Sequence, residues 1–413
     1  MTGIVITAIA VLAYALVSER LKETIVTPPM AFAAFGLLIS SFGIQSFELS
    51  HGPIHVLAEI TLILILFSDA ARIDLRLLLR DHDLPLRMLL IGMPLTILLG
   101  TLVAMALPLG LNWTEAALLA AVLSPTDAAL GQSVVSNPNV PVRIRQTLNV
   151  ESGLNDGLAV PFVFLFAALA VGGDGGGDAA HHATFTLQQI ILGPLIGAAV
   201  GWFAAKLMDR AARAGWLTET FEGPAVLATV GLAYASAELV HGNGFMSAFV
   251  AGLVFGYAVG RRCKFILEFA EAEGQTLALM AFLVFGAAML PEIAGHVSWQ
   301  MVLYAILSLT AIRIIPIALS LMGSGVSGVT MAFLGWFGPR GLATVLFSLI
   351  VLEKLKSPGA ETILTIAILT VAISIVAHGV TAAPLARLYG RKTTTKGACA
   401  ENEIVSEMPM RHG

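Results

Sequence analysis

Between Ala121 and Val160 the chain reads AVLSPTDAALGQSVVSNPNVPVRIRQTLNVESGLNDGLAV. Its two apolar segments are each suited to crossing a bilayer, yet they carry Asp127, Glu151, Asn155 and Asp156 at membrane depth. A carboxylate in hydrocarbon costs at least about 2.5–3.5 kcal/mol on insertion scales, and it is tolerated where the group faces a bundle interior or a wet cavity and serves a function there. Ser152 and Asp156 are four apart, as are Glu151 and Asn155, so on a helix these pairs form one polar stripe. Gly153 and Gly157 share that spacing and let a neighbouring helix approach closely. Asp156 is the candidate for a group that binds either a proton or a cation, because its carboxylate is a hard oxygen ligand suited to a small hard cation. Burial favours the protonated form and a bound cation the ionised one, so the two ligands compete for one carboxylate. Glu151 reads instead as a carboxylate paired structurally with an arginine.

Asp127 follows a helix breaker, in Ser124-Pro125-Thr126-Asp127. Proline inside a helix frees backbone carbonyls and leaves half-helix ends. Two roles are open to Asp127: neutralising a half-helix N-terminus, and direct contact with a cation. Thr126 can offer a freed carbonyl, and Ser152 a hydroxyl, to the same cation. Two arginines lie inside apolar stretches, Arg313 and Arg340. Arg313, in LTAIRIIPI, is eight residues from the nearest polar end of its stretch. A buried arginine must pair, and Glu151 is the first choice of partner. Arg340 lies at a second breaker, Gly335-Trp336-Phe337-Gly338-Pro339-Arg340-Gly341, where it most simply offsets half-helix dipoles. Asp69, in LFSDAARIDL, reads as an interfacial acid beside Arg72, with a place at a cavity mouth as the alternative. His378 reads as a hydrogen-bonded core histidine, with a pH sensor as the alternative. The chain has no P-loop, no HExxH zinc spacing and no glycine-rich dinucleotide fingerprint after a strand. An intramembrane enzyme would need a nucleophile–base pair or a metal cluster, and neither is visible. No cofactor is expected.

The elements that must position these groups follow from composition. Of 413 residues, 57% are hydrophobic and 12% charged, about half the charged share of a soluble domain. A polytopic, all-α membrane protein follows, with lipid as its surroundings. The net charge of −4 argues against nucleic acid as a partner. Cys263 and Cys399 fall in polar segments and form no disulfide framework. The N-terminus lacks the basic region of a cleaved signal peptide and opens on GIVITAIAVLAYALV, read as a retained first helix. Spans need about 20 mostly apolar residues. Thirteen candidates are found, roughly 3–17, 27–46, 54–69, 86–108, 114–136, 144–172, 187–208, 223–241, 244–260, 275–291, 299–322, 328–351 and 360–385. The polar residues 387–413 are expected to form a cytoplasmic tail. With the N-terminus outside, this count puts 19 lysines and arginines on the cytoplasmic side and only Lys354 and Lys356 on the other. The loop GGDGGGDAAHHATF falls outside, where a flexible linker without basic residues is expected. Spans 1–6 and 8–13 form two six-helix units of opposite orientation, with span 7 as connector. The breakers in spans 5 and 12 mark matching places in the two units, as in inverted-repeat secondary transporters with a midplane site.

SPTDA, ESGLND and GPRGLAT together resemble the signature of sodium/proton antiporters. The resemblance is closest to the bacterial NhaP-type branch of the monovalent cation:proton antiporter superfamily, to which animal sodium/proton exchangers also belong, and it covers nearly the whole chain. It implies that Asp156 carries cation and proton, with Asp127, the Thr126 carbonyl and the Ser152 hydroxyl completing the site. It implies that Asn155, in place of a second aspartate, marks the electroneutral subgroup, and that Glu151 pairs with Arg313. It further implies a homodimer in the cell (inner) membrane. In each chain a dimerisation part (about 1–72 and 223–291) and a moving core part (about 86–172 and 299–386) would be joined by a linker helix at about 187–208. Related antiporters often carry Phe-Glu near the end of span 3, whereas here the text is Phe67-Ser68-Asp69. Relatives differ in preferring sodium, lithium or potassium. A gated cation channel on the same fold is the competing class, although its members usually carry a large soluble nucleotide-binding region.

Overall fold

The computed structural model describes residues 2–21, 24–41, 51–81, 83–172, 179–259, 276, 278–354, 358–394, 400–403 and 405. Cys263, Cys399, residues 173–178 of the glycine-rich loop, and the basic residues Lys22, Arg261, Arg262, Lys264, Lys356, Lys396 and Arg411 lie outside the described residues.

Every regular element among the described residues is helical. The chain begins with α1 (Thr2–Leu21), α2 (Pro28–Ser41), α3 (His51–Ala71) and the short α4 (Leu75–Asp81). There follow α5 (Asp83–Ala106), α6 (Trp113–Val122), α7 (Ala128–Val135), α8 (Val142–Gly172), α9 (Ala179–Arg213) and α10 (Glu219–Leu239). The remainder comprises α11 (Gly244–Val259), α12 (Ala278–Glu292), α13 (Trp299–Leu309), α14 (Ala311–Ser320), α15 (Gly328–Trp336), α16 (Leu342–Lys354) and α17 (Pro358–Thr394). Over its described residues, each expected span falls on one helix or on a consecutive pair: α6–α7, α13–α14 and α15–α16. By length and composition alone, α5, α8, α9, α13–α14 and α17 can each cross a bilayer.

Local chemistry sets the ends and interruptions. α6 starts in a capping box: Asn112 Oδ1 accepts from the N–H groups of Thr114 and Glu115, both at 3.0 Å, and Glu115 Oε2 accepts from Asn112 N at 2.9 Å. In α5 and α12 one turn widens to π geometry just before Pro94 and Pro291. There Met93 N–H reaches back to the Met88 carbonyl, and Leu290 N–H to that of Phe285. The extra residue relieves the clash of the proline ring with the preceding turn. The two longest interruptions, between α6 and α7 and between α15 and α16, each contain a proline, Pro125 and Pro339.

Small residues bring the helices together. Gly193, Gly197 and Gly201 on α9 meet Asn243, Ser247 and Ala251 along α11. Gly252 and Gly256 on α11 meet the backbone of Phe67 and Ala71 on α3, and Gly36 on α2 interlocks with Gly286 on α12. Without Cβ atoms the backbones approach to contact, which supplies packing energy where lipid offers no hydrophobic drive. A second group of helices, α5 to α8 and α13 to α17, packs around the two interruptions, and α3 touches it at α8 and α16.

One boundary differs from the sequence reading. Residues 387–394, expected to begin a polar tail, continue α17 as helix. Their hydrophobic members still have a core to join, since Tyr389 is buried and stacks on Phe333 with ring centroids 4.1 Å apart. Residues 400–403 then return to the same end of the bundle. Arg143 at the start of α8 holds Asp83 at 2.8 Å, Glu403 at 2.7 Å and the Ala400 carbonyl at 2.5 Å. Glu401 accepts from Ser327 N and from the Thr330 hydroxyl, both at 2.8 Å, at the N-terminus of α15.

Candidate cation site at the crossed helix breaks

The two interruptions cross and satisfy each other. Asp127 N–H donates to the Pro339 carbonyl at 2.8 Å. Asp127 Oδ2 accepts from Leu342 N at 3.0 Å and its Oδ1 from Leu130 N at 3.3 Å, so one carboxylate serves the N-terminal ends of both α16 and α7. In return, Arg340 Nη1 donates to the carbonyls of Ser124 and Pro125 at 2.6 and 3.0 Å, beyond the C-terminal end of α6. Half-helix ends expose unpaired N–H and C=O groups with partial charge. Here one acid and one base from opposite halves of the chain neutralise three of the four ends. Two glycines make this possible. A Cβ on Gly341 would collide with the Asp127 carboxylate, and one on Gly338 with the Arg313 guanidinium.

Against this crossing lies the polar stripe of α8. Thr126 is the hub: its hydroxyl is 3.2 Å from Ser152 Oγ and accepts the side-chain amide of Asn155. Ser152, Asn155 and Asp156 are all buried, and Asp156 stands one helical turn beyond Ser152. Asn155 Oδ1 has no hydrogen-bond partner among the described residues. On another side of the same helix, Glu151 Oε1 accepts from Arg313 Nη2 of α14 at 2.6 Å, with both side chains 2% exposed. The stripe therefore divides: Glu151 is used in an ion pair, while Ser152 and Asn155 turn toward the break.

The freed carbonyls that Arg340 takes belong to Ser124 and Pro125, and Thr126 enters the cluster through its hydroxyl. Asp69 is 6% exposed, where α3 packs on Gly153 of α8. Sequence reasoning also passed over Ser374, whose hydroxyl accepts from Arg340 N at 2.8 Å, and nothing in its surroundings marks it. Gly338 and Gly341, flanking Pro339-Arg340, were the readable sign that bulky groups from elsewhere fill this turn.

A family profile described as "Sodium/hydrogen exchanger, transmembrane" matches residues 6–388. The chain belongs to the sodium/hydrogen exchanger family. It is thus a multi-pass membrane protein of the monovalent cation:proton antiporter superfamily. This exchanger-family chain is 25% identical over 386 residues to the K(+)/H(+) antiporter NhaP of Alkalimonas amylolytica, covering 90% of itself and 63% of that protein. It is 27% identical over 367 residues to Na(+)/H(+) antiporter 2 of Zygosaccharomyces rouxii, covering 83% of itself and 45% of that protein. The chain therefore spans about half to two thirds of the length of these relatives. Its fold matches the sodium proton antiporter MjNhaP1 from Methanocaldococcus jannaschii, with a TM-score of 0.75 and 21% identity, over 95% of this chain and 98% of that one.

Proposed function

We propose that this exchanger-family protein is a secondary antiporter that exchanges a monovalent cation for a proton by alternating access, one for one and without net charge movement. The observation that carries the reading is the junction of Thr126 with Ser152 and Asn155. It joins the helix break to the face of α8 on which Asp156, also buried, stands one turn beyond Ser152, so hydroxyl and amide groups gather between the crossed half-helices with a carboxylate on the same face. Such oxygens suit a hard monovalent ion, and the carboxylate can take a proton in its place. Asp156 binds the two in turn; Thr126, Ser152 and Asn155 complete the cation's surroundings. Asp127 compensates the half-helices and lies next to Thr126, from where it can also contact the ion.

The core part (86–172 and 299–386) carries this site past the dimerisation part (1–72 and 223–291), with 187–208 as the linking helix, in a homodimer of the cell membrane. The N-terminus faces outward and the C-terminus the cytoplasm. Asn155 is neutral and Glu151 is held by Arg313, so a single carboxylate exchanges a single charge. Each uncompensated charge would couple the cycle to the membrane potential by about 2.3 kcal/mol per 100 mV. The cation is sodium, with lithium as a companion substrate. Potassium is the second reading, and it is favoured by the names of relatives such as the K(+)/H(+) antiporter of Alkalimonas amylolytica.

The test is transport in proteoliposomes with pH gradient and membrane potential set independently, offering sodium, lithium and potassium in turn. The expected result is exchange whose reversal point follows the pH gradient alone. A reversal point that moves with potential would overturn electroneutrality, and absence of exchange with any of the three cations would overturn antiport.

A further inference from the structure

Of the four half-helix ends at the crossing, three are served by Asp127 and Arg340. The fourth is the C-terminal end of α15, and it has its own device. His378 Nε2, from α17, lies 2.8 Å from the Trp336 carbonyl, the last residue of that half-helix. A carbonyl can only accept, so a ring proton at Nε2 serves the Trp336 carbonyl, whereas one at Nδ1 serves that of Ser374. Nδ1 lies 3.2 Å from Ser374 Oγ and 3.0 Å from the Ser374 carbonyl. Ser374 Oγ accepts from Arg340 N at 2.8 Å, which leaves its own proton free for Nδ1. With the proton at Nε2, the bonds run in one sense, from Arg340 N–H through the Ser374 hydroxyl and the imidazole to the Trp336 carbonyl. Hydrogen bonds aligned in this way polarise and strengthen one another. The imidazole also stacks on the Trp336 indole, at 5.1 Å and 30°, and the indole N–H is anchored on Thr381 Oγ1 at 3.1 Å. The ring is 1% exposed, and the charged groups acting on it are the guanidiniums of Arg340 and Arg313.

We propose that His378 is a positioning residue for the exchange reaction: as a neutral imidazole it clamps both sides of the second helix break, the Trp336 carbonyl directly and the Arg340 backbone through Ser374. It acts on the cation site at one remove. Arg340 holds the Ser124 and Pro125 carbonyls, which immediately precede Thr126, so slack at Arg340 loosens the Thr126–Ser152–Asn155 cluster. The inference rests on the antiport reading, and it does not make His378 an ion ligand or a pH sensor.

The test compares full-length His378→Leu and His378→Gln with the wild type in the sodium proteoliposome assay, after each variant is shown to be folded by size-exclusion chromatography. Leucine leaves the Trp336 carbonyl without a donor, whereas the glutamine amide can reach it from the position of Nε2. The expected result is a half-saturating sodium concentration raised about tenfold in His378→Leu, the scale of one buried acceptor left unpaired. His378→Gln should come within about threefold of wild type on the same scale, with an unchanged pH profile. A folded His378→Leu protein with wild-type half-saturation would overturn the positioning role. A pH profile displaced in His378→Gln would overturn the neutral clamp, because it would show that the ring titrates during the cycle. A wild-type protein that exchanges no cation would overturn antiport and this role together, so the two failures are distinguishable.

Discussion

Glu151 and Arg313 give the sharpest quantitative test of the core. They are 2.6 Å apart, both 2% exposed, on helices α8 and α14. At an effective dielectric of about 20, unit charges about 4 Å apart attract by about 4 kcal/mol, which is offset by the cost of desolvating both. Removing one partner leaves the other buried and uncompensated, at about 3–5 kcal/mol. The surroundings make the two losses unequal. Arg340 is close enough to interact with both members of the pair, repelled by Arg313 and attracted by Glu151. Glu151→Gln therefore leaves two buried, mutually repelling guanidiniums without that carboxylate, whereas Arg313→Met leaves Glu151 still attracted by Arg340. Glu151→Gln should be the more destabilising single change, and the double variant should cost no more than the worse single one. Thermal unfolding of the three variants and the wild type in one detergent closes the cycle. Additive losses would refute direct pairing. A larger loss for Arg313→Met would refute the part assigned to Arg340.

Asp156→Asn should abolish cation–proton exchange while the protein remains folded, because shape is kept and the titrating ligand is lost; substantial exchange by a folded Asp156→Asn protein removes the assignment. Glu401 lies outside the spans. Burial pushes its carboxyl up, but the Ser327 N–H and the hydroxyls of Thr330 and Ser327 outweigh burial and hold it at about 2, below the ordinary 4.5. A depressed folded value stabilises above the unfolded one, so the contribution is complete at neutral pH and fades as pH falls from about 4.5 toward about 2. Glu401→Gln should therefore lower the unfolding temperature at pH 7, with the gap to wild type narrowing below pH 4.5; a gap constant down to pH 3 would refute the contact with α15.

Much of this architecture is legible in the chain itself, because a bilayer leaves few solutions. Long apolar stretches must be helical, since no water satisfies their backbone there. Prolines at 125 and 339 must interrupt those helices, and acids at 127, 151 and 156 must have a reason to be buried. Those constraints act residue by residue and survive without any knowledge of the fold. Tertiary structure decided who meets whom. Only the crossing of α6–α7 with α15–α16 assigns Asp127 to two N-termini, sends Arg340 to the Ser124 and Pro125 carbonyls, and makes the Thr126 hydroxyl the hub for Ser152 and Asn155. Only the docking of α17 reveals His378 and Ser374 as the clamp on the second break. Hydrogen-bond partners separated by some two hundred residues leave no periodicity to read, because their geometry is set by how whole helices pack and by the space that Gly338 and Gly341 leave open.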